Sequence, residues 1–137
     1  MAIGFCLEKG SSFELNAIKP NNKAISWIAS SRLFNKQIPE SVLMHLSPES
    51  SKEMYDKDKE TIINFAKEEL HNFTSSNLSI IYADIFKWKY ALTNKKMNEE
   101  GYIKYSDSIY LIGDWIKGPR IENAFLSGYS LAMDLNR

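Results

Sequence analysis

The stretch from residue 108 to residue 133 constrains this chain more than any other part of it. An apolar β run, Ser108-Ile109-Tyr110-Leu111-Ile112, ends at Gly113-Asp114. Trp115-Ile116-Lys117-Gly118-Pro119-Arg120 follows as a loop, because Gly and Pro interrupt regular structure. A helix with small residues at Ala124, Gly128 and Ala132 then begins at Ile121. The first turn of a helix carries backbone N–H groups without internal partners and the positive end of the macrodipole. A pyrophosphate or an electron-rich ring edge is therefore stabilised there. Small residues at four-residue spacing let such a helix pack close to a flat surface.

These residues, in this order, resemble the carboxy-terminal flavin motif of the FAD-dependent amine oxidase and renalase-like oxidoreductases. In that family a strand ends in Gly-Asp, a loop crosses the cofactor and a helix opens with Glu-x-Ala-x-x-Ser-Gly; here the pattern is Glu122, Ala124, Ser127 and Gly128. Upstream, Phe86-Lys87-Trp88-Lys89-Tyr90-Ala91-Leu92 is similar to the family's Arg-Trp-x-Tyr-Ala strand, with Lys87 standing where an Arg is usual. Ser26-Trp27-Ile28-Ala29 and Leu46-Ser47-Pro48-Glu49-Ser50 fall in the family's order and extend the resemblance over most of the chain.

The resemblance implies an oxidoreductase that uses FAD, with NAD(P) as electron donor or substrate and a small-molecule substrate. It implies cofactor contacts from Gly113, Asp114, Trp115, Arg120, Ile121, Glu122, Asn123 and Ala124. Asp114 would accept hydrogen bonds from cofactor hydroxyls or order the phosphate turn, and the backbone N–H groups of residues 122–124 would face the flavin pyrimidine edge or its ribityl chain. Glu122 has a second reading as a carboxylate that stabilises the helix start. Trp27, Phe86, Trp88 and Tyr90 would line the substrate pocket; the same aromatics also read as a core-facing stripe. No catalytic residue is assigned, since in such enzymes the cofactor carries the redox chemistry and the protein orients it.

The family's first half is a Rossmann unit with a Gly-x-Gly-x-x-Gly turn. The six glycines here, Gly4, Gly10, Gly101, Gly113, Gly118 and Gly128, contain no such spacing. The expectation is thus the carboxy-terminal part of a flavoprotein, incomplete and inactive alone, with a separate Rossmann-half polypeptide or a second copy as partner. Residues 1–107 are expected to form the substrate domain and residues 108–137 the strand–loop–helix of the FAD-binding domain. The alternative is a non-catalytic binding or assembly module derived from that fold.

Along the chain, residues 2–8, 13–18 and 24–30 read as strands joined by short turns, which implies an antiparallel meander. A looser segment, residues 32–40, leads to a fourth strand at 42–46. Ser47-Pro48-Glu49-Ser50 signals a helix start, and residues 56–60 end that helix and cap the next. Ile62, Phe65, Ala66, Glu69 and Phe73, widened by Ile63 and Leu70, give the second helix an apolar stripe, and residues 74–77 stop it. Residues 78–92 read as one long strand with Phe86, Trp88 and Tyr90 on one face and Lys87 and Lys89 on the other. The fold class expected is α+β, a mostly antiparallel sheet with covering helices and a C-terminal helix that contacts the cofactor.

Composition narrows the function classes. At 44% hydrophobic, the 137 residues suffice for an ordinary core. Seventeen basic residues balance seventeen acidic ones, so nothing favours nucleic acid or an anionic membrane as partner. No apolar run approaches the roughly 20 residues of a membrane span, and no signal peptide is read, so the expected compartment is cytoplasmic. The single Cys6 reads as a small hydrophobe, and His45 and His71 are too far apart in sequence to suggest a metal pair.

Overall fold

The computed structural model describes residues 1–33, 39–75, 77–91, 93, 97 and 101–136. The chain forms two compact units, Met1–Lys89 and Tyr90–Arg137. Together their described residues make a mixed α and β structure with antiparallel strand pairing and four α-helices.

The first unit is built on a five-stranded sheet in the order β2-β3-β4-β1-β5, with β1 Ala2–Leu7, β2 Ala17–Ile18, β3 Ile25–Ser30, β4 Ser41–Leu46 and β5 Ile80–Phe86. Strict alternation explains its sidedness. Ile3, Phe5 and Leu7 on β1 and Val42, Met44 and Leu46 on β4 are buried, while the residues between them point to the opposite face. Helices α1 Pro48–Met54 and α2 Lys59–His71 follow β4. Ile62, Ala66 and Leu70 of α2, four residues apart, join the buried side of the sheet in one core.

Both helices start where the sequence signals them. Ser47 Oγ accepts from Ser50 N at 3.0 Å with Pro48 in the first turn, and Asp58 accepts from Thr61 N at 2.9 Å. The Thr61 hydroxyl also donates to Asp58 and is the main reason its carboxyl sits below the ordinary value. The Asp84 carboxyl is likewise lowered, chiefly by the Lys59 ammonium at 2.8 Å. A carboxyl depressed in the folded state contributes stability above the unfolded pKa, about 3.9, and loses it as pH falls through the folded one. Urea melts should therefore show stability declining below about pH 4, with a shallower decline in Asp58→Asn and Asp84→Asn. An unchanged acid limb in both variants would remove these two groups as its cause.

Three features depart from the expectations. The meander is confined to β2-β3-β4, and β1 lies between β4 and β5, in register Ile3↔Met44 and Ile3↔Ile85, rather than beside β2. The second strand shrinks to Ala17–Ile18 because Phe13 turns into the core, 1% exposed, and its N–H donates to Glu40 Oε1 at 2.9 Å instead of to a neighbouring strand. The long strand at 78–92 ends at Phe86. There Lys87 turns away, donating to the Tyr55 carbonyl at 2.5 Å with its ammonium 5.4 Å from the Tyr55 ring centre. Leu92, Ser76 and residues 34–38 of the looser segment lie outside the described residues.

The second unit holds a hairpin, β6 Tyr102–Lys104 with β7 Tyr110–Ile112, followed by α3 Asp114–Lys117 and α4 Ile121–Leu135. Strand β6 has no counterpart in the sequence reading. Its pairing with β7, Tyr102↔Ile112 to Lys104↔Tyr110, ties residues expected in the first domain to the C-terminal stretch. Strands β6 and β7 and helices α3 and α4 all fall in the compact unit Tyr90–Arg137. No helix among the described residues is long and apolar enough to cross a membrane.

Candidate functional site

The residues assigned to cofactor contact run from the end of β7 through α3 to the first turn of α4. Gly113 has φ +151°, and a Cβ there would lie 2.5 Å from Trp115 Nε1, so only glycine fits between strand and helix. The Trp115 indole donates to the Ile112 carbonyl at 3.3 Å and so acts in shaping this turn. The stretch read as a loop contains one helical turn, α3 Asp114–Lys117, capped by Gly118 with φ +124°. Gly118 N donates to the Asp114 carbonyl at 2.8 Å, and Asn123 Nδ2 reaches back to the Gly118 carbonyl at 2.9 Å. Asn123 thereby closes the α3–α4 connection.

Helix α4 starts at Ile121 with no side-chain cap from Arg120, but the amides of Asn123 and Ala124, expected to face the cofactor, donate to the Arg120 carbonyl at 3.0 and 3.2 Å, which leaves those of Ile121 and Glu122 for an outside acceptor. Asp114 is half-buried, and Arg120 and Glu122 are exposed; among the described residues none of the three side chains has a hydrogen bond or ion pair. The arrangement thus offers an acceptor carboxylate, a guanidinium and a helix start on one short stretch. Ile121 and Ala124 are exposed beside it. Such a set can hold a ligand that carries both hydroxyl donors and an anionic or electron-rich edge.

The close approach of α4 within its unit is not made by the stripe of Ala124, Gly128 and Ala132. A Cβ on Gly128 would find only Ile112 Cδ1, at 3.9 Å. The tight contact is at Ser127, the buried residue of α4, and at Ser130, whose Oγ would lie 3.0 Å from a Cβ on Gly101. Ser127 Oγ accepts from Gly113 N at 2.9 Å and donates to the Gly101 carbonyl. The Ser-Gly pair of the sequence motif pointed at Ser127, but nothing in it named the two groups that the hydroxyl joins.

In the first unit the aromatics divide. Trp27 pairs with His45, His45 with Ala2 and Ala2 with Phe86, so Trp27 and Phe86 stand in one row on the sheet face opposite the helices. Small residues, Ala2, Gly4 and Cys6, occupy β1 on that face, between β4 and β5, and a Cβ on Gly4 would meet the Phe86 ring at 3.6 Å. His45, missed as a site residue, belongs to this row; partial burial first and the N-terminal charge second lower its pKa, favouring the neutral ring. Trp88 lies past the end of β5 and is 72% exposed, and Tyr90 belongs to the second unit. Neither continues the row. Among the described residues no group of three His, Cys, Asp or Glu side chains is arranged to hold a metal ion.

No protein-family model matches this chain, and no curated protein matches it in sequence.

Proposed function

We propose that the chain supplies the substrate chamber and closes the flavin site of an FAD-dependent oxidoreductase of the amine oxidase or renalase-like kind. The observation that carries the reading is the Gly113–Asp114 turn, joined through a single helical turn to an uncapped helix start beside Arg120. These groups fit part of FAD. The Ile121 and Glu122 amides of α4 and the Arg120 guanidinium suit an electron-rich edge or a phosphate, and the Asp114 carboxylate suits a hydroxyl. FAD supplies the electron-accepting chemistry when bound; the chain's own residues bind and orient. The row from Trp27 to Phe86 would face a small-molecule substrate, with NAD(P) as electron donor or substrate. A separate Rossmann-half polypeptide would carry the ADP part of the cofactor.

FAD titrated into the chain alone should bind weakly or not at all, and addition of a polypeptide with a Gly-x-Gly-x-x-Gly Rossmann half should produce tight binding. In that complete protein Asp114→Ala should weaken FAD tenfold or more, because a hydrogen bond to a charged group contributes about 1.5 to 3 kcal/mol, against about 1.4 kcal/mol per decade. Equal flavin retention by Asp114→Ala would reduce the residue to a turn former. Stoichiometric FAD on the chain alone would refute the expected division of labour.

A second reading, a non-catalytic binding or assembly module, is favoured by the large apolar side chains exposed on α4. Ile121 is 89% exposed, and Phe125 and Tyr129, stacked at 6.0 Å, are 69% and 53% exposed. Exposed apolar patches mark interaction surfaces. Self-association in sedimentation, with no flavin binding even after addition of the Rossmann-half polypeptide, would select this reading.

A further inference from the structure

We infer that Ser127 is the positioning residue of Asp114: its hydroxyl joins the Gly113 amide to the Gly101 carbonyl and so anchors the Ile112–Gly113 peptide, the one before the peptide that carries Asp114. What Asp114 contacts rests on the flavin reading; the hold itself does not. Ser127 is 0% exposed; its bond to Gly101 is buried and its bond from Gly113 partly buried, so leaving the hydroxyl's partners unpaired is costly. It accepts from Gly113 N at 2.9 Å and donates to the carbonyl of Gly101 at the foot of the hairpin. One hydroxyl therefore connects the hairpin, the turn and α4.

The glycines at the other ends of these bonds permit nothing larger. A Cβ on Gly113 would meet the Trp115 indole at 2.5 Å, and a Cβ on Gly101, φ +99°, would meet Ser130 Oγ at 3.0 Å and Lys117 Cε at 3.3 Å. Gly113 directly precedes Asp114, the first residue of α3, whose carboxylate has no hydrogen bond among the described residues. With no partner of its own, the carboxylate takes its place from the backbone that Ser127 anchors one residue earlier. Ser130 provides the control: it lies on the same side of α4, but its hydroxyl donates at 2.8 Å to the Leu126 carbonyl of its own helix.

Nuclear magnetic resonance of the full chain tests the assignment through amide exchange at Gly113 and the carboxyl-carbon resonance of Asp114. In Ser127→Ala, Gly113 exchange should accelerate about tenfold, the loss of one hydrogen bond, and the Asp114 resonance should move; Ser130→Ala should change neither. If Ser127→Ala unfolds the second unit, Ser127→Thr and Ser127→Val, alike in shape and different in the hydroxyl, make the same comparison. Unchanged Gly113 exchange, or faster exchange with an unmoved Asp114 resonance, overturns the inference. FAD titration of the complete protein decides the flavin reading separately: no binding there sinks that reading and leaves the two resonances to decide Ser127.

Discussion

Glu40→Ala is expected to destabilise the sheet unit by about 3 kcal/mol, since two hydrogen bonds to one carboxylate are lost and hydrogen bonds to charged groups contribute about 1.5 to 3 kcal/mol each. Glu40 Oε1 accepts from Phe13 N at 2.9 Å and from Ser30 Oγ at 2.8 Å, and the side chain is only 9% exposed. Alanine leaves both donors without an acceptor next to Phe13 and Ser30, each 1% exposed. The Arg32 guanidinium, 3.9 Å away on a side chain 43% exposed, adds little. Glu40→Gln keeps an oxygen at the same place and should lose much less. Thermal melts followed at the sheet's far-ultraviolet signal check this: at roughly 4 to 8 °C per kcal/mol, Glu40→Ala should melt more than 10 °C lower. Melting within a degree or two of the unsubstituted chain would show that the carboxylate is dispensable to the unit.

Gly113→Ala is expected to cost about 2 to 5 kcal/mol in the second unit, combining a backbone conformation strained for an L-residue with overpacking against Trp115. The indole cannot simply yield, because it is held by its hydrogen bond to the Ile112 carbonyl. Two substitutions separate these causes. Gly10→Ala carries the positive-φ strain, φ +94°, with nothing within 4 Å of the new Cβ. Gly128→Ala adds a methyl to a helix interior with only Ile112 Cδ1 near it, at 3.9 Å, and should stabilise by up to about 1 kcal/mol. Melting of the second unit, read from resonances of α4, compares Gly113→Ala with Gly128→Ala, and melting of the first unit reads the strain in Gly10→Ala. Equal effects of Gly113→Ala and Gly128→Ala would mean that the strand-to-helix turn tolerates a side chain.

Much of the first unit was legible because its signals are local. Ser47 and Asp58 cap the helices they were read to cap, and the alternation of β1 and β4 announces which face is buried. The short turn between residues 18 and 24 did join neighbours, β2 and β3, but no local signal says that β1 passes over both to lie between β4 and β5. The strand reading failed at Phe13 because Glu40, far along the chain, satisfies its amide. It failed again at Phe86, where an aromatic-basic alternation persists in sequence while Lys87 turns to the Tyr55 carbonyl.

The candidate site divides in the same way. The order of Gly113, Asp114, Gly118 and the start of α4 was visible as composition along one stretch, whereas the packing face of α4 was not. Spacing alone made Ala124, Gly128 and Ala132 the close face, and the hairpin instead meets Ser127 and Ser130.

The sequence by itself determined the helix starts, the buried side of the central strands, the glycine at the end of β7 and the absence of a net charge, because each depends on residues within a few positions of one another or on a sum over the chain. Only the tertiary structure decided the strand order, the end of β5, the pairing of β6 with β7 and the role of Ser127. Each of these is a hydrogen bond or contact between different segments of the chain, from the six to ten positions of the hairpin to the far larger separation of β1 and β5. A buried polar group takes whichever partner the packed chain brings to it.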